Sequence, residues 1–157
     1  MPATMDTDQL TGVAHRRVFE KKVATVEAPS ALLILDVDRF HLYNHDFGHN
    51  IVGDNALRCL AGILLHHARE TDLVARYGGD EFVVLLPQTT PGEAEVIAGR
   101  IREDVAVFPW PNRPLTVGIG VASLEPSPKT WRDLIMAAEG ALHDAKMAGG
   151  DCIGSAK

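Results

Sequence analysis

Apolar positions along the chain alternate between helical and extended patterns. Residues 16–26 carry a helical pattern that Pro29 punctuates, and Asp8-Gln9-Leu10-Thr11-Gly12 ahead of it reads as a turn or cap. The run Ala31-Leu32-Leu33-Ile34-Leu35 is unbroken, as in a strand buried on both faces, and leads into Asp36-Val37-Asp38. A short helix over 39–46 is broken by Phe47-Gly48-His49. Leu57, Leu60, Ala61, Leu64 and Ala68 then share one face of a helix over 54–68. Strand-like segments at 72–75 and 83–86 flank Gly78-Gly79 and predict a β-hairpin whose glycines take φ > 0 in a primed turn. Pro91-Gly92 opens another amphipathic helix, with Ala94, Ile97, Ala98, Ile101 and Val105 inward. After the stiff 109–114 connector, residues 115–121 alternate as a strand whose two glycines share a face open to close approach. A last helix over 129–147 buries Trp131, Leu134, Ile135, Ala138, Leu142 and Ala145; Gly149-Gly150 ends it, and Cys152-Ile153 adds an edge strand. The fold class is therefore α/β (α+β), a mixed, mostly antiparallel sheet with helices packed on it.

Composition narrows the function. The 157 residues suit one domain, and residues 1–7 read as a disordered leader or cloning remnant ahead of a domain at 8–157. A formal charge of −6 offers no basic face for a phosphodiester backbone, so a nucleic-acid partner is excluded. The two cysteines, Cys59 and Cys152, have no metal-ligand spacing, which points to a reducing compartment. No apolar run is long enough for a bilayer, so the expected location is cytoplasmic, with no membrane contact by this segment.

Two acidic clusters carry the chemistry: Asp36/Asp38 at a strand end, and Asp80/Glu81 after the Gly-Gly turn. If the strands are neighbours, ~4.8 Å apart, the carboxylates converge. Such oxygen ligands suit Mg²⁺ or Mn²⁺ together with substrate phosphates. Of the first pair, Asp36 is expected to ligate, with the Val37 carbonyl as companion. The helix that follows offers free N–H groups to phosphates. Capping is the competing role for Asp36 and Asp38, but metal, helix terminus and Gly-Gly turn together describe a nucleoside-triphosphate site.

Gly78-Gly79-Asp80-Glu81-Phe82 is the GGDEF signature, and from about Asp8 to Asp151 the chain resembles the catalytic domain of diguanylate cyclases. The matching motifs stand in order: Asp8-Gln9-Leu10-Thr11-Gly12, Asp36-Val37-Asp38-Arg39-Phe40, Asn44, Phe47-Gly48-His49 with Gly53-Asp54, and Ala141-Leu142 with Ala145-Lys146. The resemblance implies a five-stranded, nucleotidyl-cyclase palm-like sheet and condensation of two GTP into cyclic di-GMP and two pyrophosphates. It implies metal at Asp36, Val37, Asp80 and Glu81, with Asp80 and Glu81 catalytic. Substrate would be bound by Phe40, His41, Asn44, Asp54, Gly78, Gly79 and Lys146, with Asn44 and Asp54 reading guanine. Arg69-Glu70-Thr71-Asp72, five residues ahead of Gly78, matches an RxxD motif. With Arg100 it implies an inhibitory product site. Each domain binds one GTP, so catalysis is expected of a homodimer, brought together by an N-terminal sensory or dimerisation domain that this sequence lacks.

Three departures favour the alternative, a weak or inactive module that senses cyclic di-GMP or GTP. His41 replaces the family's phosphate-binding Lys, so GTP affinity is expected to improve as pH falls. Gly150 replaces an Arg. Asn50, Ile51 and Val52 between His49 and Gly53 number one more than the family pattern. An extra residue would rotate a helix by ~100°, and its absorption in a bulge ahead of Asp54 is expected instead.

Overall fold

The computed structural model describes residues 6–124 and 130–156. Its strands are β1 (Ala14–His15), β2 (Ser30–Val37), β3 (Leu73–Arg76), β4 (Glu81–Pro87), β5 (Val117–Leu124) and β6 (Cys152–Ser155). They form one sheet in the order β1-β3-β4-β2-β5-β6. The inner pairings β3-β4, β4-β2 and β2-β5 are antiparallel, while β1-β3 and β5-β6 at the edges are parallel. The sheet has six strands where five were expected, because Ala14–His15 is too short to show a period of two.

Helices α1 (Arg16–Val23), α2 (Phe40–Phe47), α3 (Asp54–His67), α4 (Pro91–Val107) and α5 (Trp131–Met147) cover the sheet. On one face Leu33, Leu35, Val84 and Ile119 meet Tyr43 of α2, Leu60 and Leu64 of α3, and Ile101 of α4. On the other, Leu32, Ile34, Val83 and Leu85 meet Phe19 of α1 and Leu134, Ala138 and Leu142 of α5. Strand β2 is thus buried from both sides, as its unbroken apolar run requires.

Several boundaries shift. Helix α1 stops at Val23, its last buried position, where Thr25 turns back to the Lys22 carbonyl. Helix α2 starts at Phe40 because Arg39 takes a left-handed conformation (φ 53°). Residue 129 lies outside the described residues; α5 is capped by Thr130, which exchanges hydrogen bonds with Asp133. The folded edge also begins before Asp8. Thr7 bridges Ala14, and the His15 N–H donates to the Asp6 carbonyl (2.7 Å). Residues 1–5 lie outside the described residues.

The glycines of β5 serve close approach. A Cβ at Gly120 would collide with the Ala138 carbonyl and the Leu142 N–H, and one at Gly154 with the Ala141 carbonyl. Helix α5 therefore sinks onto the β5–β6 ribbon, which fixes Lys146 at the end of the sheet.

Candidate active site

Pairing between β2 and β4 sets Asp36 opposite Glu81 at the sheet end. The Asp80 carboxyl comes within hydrogen-bond reach of Asp36, so the acids far apart in sequence do converge. Burial pushes Asp36 up to about 7; Lys146 pulls it down, and the charges of Asp80 and Glu81 raise it further. Glu81 is raised by burial, then by Asp80 and Glu139. One oxygen of Asp36, Oδ1, is buried without a hydrogen-bond partner among the described residues.

Positions 36 and 38 share a side of the strand, and their partners separate them. Asp38 accepts from Lys146 Nζ (2.6 Å), Thr116 Oγ1 (2.6 Å) and the Asp151 N–H (2.7 Å). Those bonds outweigh its burial and lower its pKa. Lys146 also donates to the main-chain carbonyl of Asp36 (2.8 Å). Asp38 is a saturated anchor, whereas Asp36 keeps an open acceptor. Two raised carboxylates, Asp36 and Glu81, beside the charge of Asp80 and with an orphaned oxygen on Asp36, suit a divalent cation. Among the described residues no ready-made cage of three or more acid, His or Cys side chains is present. Mg²⁺, which typically uses one or two carboxylates and completes its shell with phosphate and water, does not need one.

The hairpin connection differs from the primed turn expected. Tyr77-Gly78-Gly79-Asp80 is closed by the Tyr77 and Gly78 N–H groups on the Glu81 carbonyl (2.8 and 3.2 Å). Neither Gly78 nor Gly79 has a positive φ. A Cβ at Gly79 would meet nothing within 4 Å, and one at Gly78 only the Glu81 side chain at ordinary contact. Neither conformation nor protein packing demands these glycines, so the bare backbone leaves room beside the carboxylates. Arg76 braces the turn from behind, donating to the Gly79 carbonyl (2.6 Å) and pairing with Asp8 (3.3 Å). The sequence reading gave Arg76 no role, although its place just before the turn was visible.

Helix α2 starts beside Val37, with Phe40 buried and His41 exposed. The extra residue is absorbed in a π-helical turn, His49–Gly53, closed by the Gly53 N–H on the Gly48 carbonyl (3.0 Å). The turn brings Gly53 against Asn44, so close that a Cβ there would overlap the Asn44 amide oxygen. Asn44 and Asp54 therefore lie near one another despite the insertion. The Asn44 Oδ1 is itself buried without a partner among the described residues. Gly150 (φ +80°) turns against Asp38, and a Cβ there would sit 2.6 Å from the carboxylate carbon.

On the far side of β4, Asp72 is wholly buried at its side chain. It accepts from the Arg69 N–H and guanidinium (both 2.8 Å). Arg69 also donates to the Pro87 carbonyl and to Thr89. A cavity of about 440 Å³ joins Arg69 to Arg100, floored by Gly92, Val96 and Ile97 of α4.

The model of the family described as "Diguanylate cyclase, GGDEF domain" matches residues 5–152. The chain is 36% identical over 160 residues to the response regulator PleD of Caulobacter vibrioides, covering 94% of this chain and 35% of that protein. It is 37% identical over 150 residues to the diguanylate cyclase DgcM of Escherichia coli, covering 90% and 36%. Among solved structures, the GGDEF domain of DgcB from Caulobacter crescentus in complex with c-di-GMP superposes with a TM-score of 0.92 at 26% identity, covering 100% of this chain and 96% of that one. The diguanylate cyclase SiaD from Pseudomonas aeruginosa, in complex with its activator SiaC, gives 0.87 at 31%, covering 97% and 62%. The chain spans little more than a third of the length of PleD and of DgcM.

Proposed function

The chain belongs to the GGDEF domain family of diguanylate cyclases, and from that premise we propose that it condenses two GTP molecules into cyclic di-GMP and two pyrophosphates. One observation carries the reading: Asp36, with an unpartnered oxygen, meets Asp80 and Glu81 beside two glycines that the fold itself does not require.

A divalent cation, Mg²⁺ or Mn²⁺, held by Asp36, the Val37 carbonyl, Asp80 and Glu81, would stabilise charge building on the phosphate oxygens. The chain's residues supply the positioning. Free N–H groups at Phe40 and His41 receive phosphates at the α2 terminus, and Gly78-Gly79 lets the nucleotide lie against bare backbone. Asn44 and Asp54 hydrogen-bond the guanine edge. Lys146 keeps a positive charge beside the triphosphate while anchoring Asp38. Glu81, its pKa raised by burial and by Asp80, is placed to accept the proton of the ribose 3′-OH. One site holds one GTP, so turnover needs two domains facing each other about a two-fold axis. Such pairing falls to a domain preceding this one, in the cytoplasm where GTP is found. Cyclic di-GMP binds at Arg69 and Arg100 and feeds back on activity.

The second reading, a nucleotide-sensing module without turnover, draws on the exposed His41 and on Gly150, where no cation reaches the phosphates. Incubation with GTP and Mn²⁺ over a range of protein concentrations, followed by chromatography of the nucleotides, separates the two. Cyclic di-GMP formed with specific activity that rises with protein concentration supports the cyclase. GTP binding without product at any concentration overturns it in favour of the sensor.

A further inference from the structure

Tyr77, the last residue before the Gly-Gly turn, has no part in the chemistry proposed above, yet each of its polar groups is held. Its N–H donates to the Glu81 carbonyl (2.8 Å), and its carbonyl accepts from Arg16 Nη1 of α1 (3.3 Å). Its hydroxyl donates to Glu139 Oε1 of α5 (3.2 Å). The ring is held as well. Phe19 of α1 meets it edge-on, with centroids 5.7 Å apart, and the Arg16 guanidinium lies over its face, 4.1 Å from the centroid. We infer that Tyr77 is a positioning residue of the active site. Clamped between α1 and α5, it fixes the start of the turn and so holds the Asp80 and Glu81 carboxylates where a divalent cation joins them to Asp36.

The need for a clamp follows from the residues that come next. Gly78 and Gly79 have no side chains to pin them, and a Cβ at either position would find no surface beyond the Glu81 side chain. Glycine gives up more conformational freedom on ordering than any other residue. The turn also delivers charge to a place that repels it, because Asp80 and Glu81 both act against the ionised form of Asp36. Ligating groups keep their geometry only when the residues behind them are locked by packing and further hydrogen bonds. Arg76 supplies that lock at the Gly79 carbonyl (2.6 Å), and Tyr77 supplies it where the turn begins.

Two observations separate a clamp from ordinary packing. The buried Phe19 needs only the ring of Tyr77, whereas the hydroxyl reaches 62 residues along the chain to a carboxylate on the exposed side of α5. Helix α5 also holds the other half of the acidic cluster. Lys146, seven residues and about two turns beyond Glu139, donates to Asp38 and to the Asp36 carbonyl. One rigid helix therefore grips β2 through Lys146 and the hairpin through Glu139, and sets the spacing between the two groups of acids. This role rests on the metal reading given above.

The test compares the whole chain with Tyr77→Phe, Glu139→Ala, Glu139→Gln and the double variants. Tyr77→Phe keeps the ring between Phe19 and Arg16, so it should fold as wild type does. In metal-free protein, amide hydrogen exchange at position 77 and at Gly78, the two N–H groups on the Glu81 carbonyl, should quicken about fivefold. Mn²⁺ affinity, measured from the electron paramagnetic resonance signal of the free ion, should weaken by about the same factor. Both effects should need the acceptor. Added to Glu139→Ala, Tyr77→Phe should change neither quantity; added to Glu139→Gln, whose amide oxygen still accepts, it should change both. Unchanged exchange in Tyr77→Phe, or losses of equal size with and without an acceptor at position 139, overturns the clamp. Faster exchange with unaltered Mn²⁺ affinity overturns its role in the site. A wild type that binds no Mn²⁺ overturns the metal reading and this role with it, whatever the exchange rates.

Discussion

Asp8 and Arg76 stand 68 residues apart and form a half-buried ion pair, with Nη1 3.3 Å from Oδ1. Arg76 continues the link by donating to the Gly79 carbonyl, so the segment that leads into the domain is wired to the turn carrying Asp80 and Glu81. Asp8 is tied locally as well, accepting from the Thr11 N–H and hydroxyl (2.9 and 2.5 Å). Movement of that segment therefore reaches the carboxylates through two side chains.

The first prediction concerns this wire. Asp8→Asn keeps the Thr11 turn but removes the charge facing Arg76. It should cost about 1 kcal/mol of stability and lower cyclic di-GMP synthesis several-fold, with GTP affinity changed less. The pKa of Asp8 is lowered: burial raises it, but the Thr11 hydrogen bonds and Arg76 together outweigh that. A depressed carboxylate contributes stability above its unfolded value near ~3.9, and loses it as pH falls through the lower folded value. Thermal melts between neutral and strongly acidic pH should therefore show a smaller acid loss in Asp8→Asn than in wild type. Parallel curves would contradict the wiring.

A second prediction isolates the repulsion among Asp36, Asp80 and Glu81. In the presence of EDTA, Asp36→Asn removes one buried charge from a cluster of like charges and should raise stability, on the order of 1 kcal/mol. Mn²⁺ should raise the melting temperature of wild type and leave Asp36→Asn unmoved. The variant should also lose about 10²-fold or more of product formation. A variant less stable than wild type in EDTA would mean that Asp36 is held by bonds within the protein.

How far the sequence reveals this domain depends on whether a feature is local. The burial of β2 was written in an unbroken apolar run, and the closeness of Asp36 and Asp80 in motifs that end neighbouring strands. The bulge before Asp54 was predictable from one surplus residue, since a helix can take up an insertion as a π turn. Three features were not legible. Ala14–His15 is shorter than any periodicity. The glycines of the hairpin do not take φ > 0, because a connection from Tyr77 to Asp80 has four residues where a primed turn has two. The role of Asp38 depends on Thr116, Lys146 and Asp151, groups that only the tertiary fold assembles.

That assembly yields a third prediction, on His41 and Gly150, the two positions where the resemblance implies that the family carries phosphate-binding cations. His41 is exposed at the start of α2, so His41→Lys should fold normally and tighten GTP binding several-fold. Gly150→Arg should behave in the opposite way. Its φ of +80° disfavours any side chain, and its Cβ would press on the Asp38 carboxylate. Loss of about 1–3 kcal/mol is expected from backbone strain alone, with the Lys146 anchor disturbed. Calorimetric GTP titrations and thermal melts on both variants check this. A stable Gly150→Arg with improved GTP affinity would show that the contact with Asp38 yields easily.

The inhibitory site calls for care in the choice of variant. Asp72 is wholly buried at its side chain and satisfies the Arg69 N–H as well as its guanidinium. Asp72→Ala would strand a backbone donor and cost about 1–3 kcal/mol, so a loss of product binding there could be a loss of local structure. Arg100 lies across the 440 Å³ cavity from Arg69 with no such structural bond among the described residues. Arg100→Ala should leave the melting temperature within a degree or two of wild type, weaken cyclic di-GMP binding about tenfold or more, and let product accumulate past the point where wild type stalls. Arg69→Ala should act the same way with a modest stability cost, since its guanidinium also bonds Pro87 and Thr89. Calorimetric titration of cyclic di-GMP into each variant, alongside progress curves, decides it. If Arg100→Ala binds product as wild type does and stalls at the same concentration, the cavity between the two arginines is not where feedback acts.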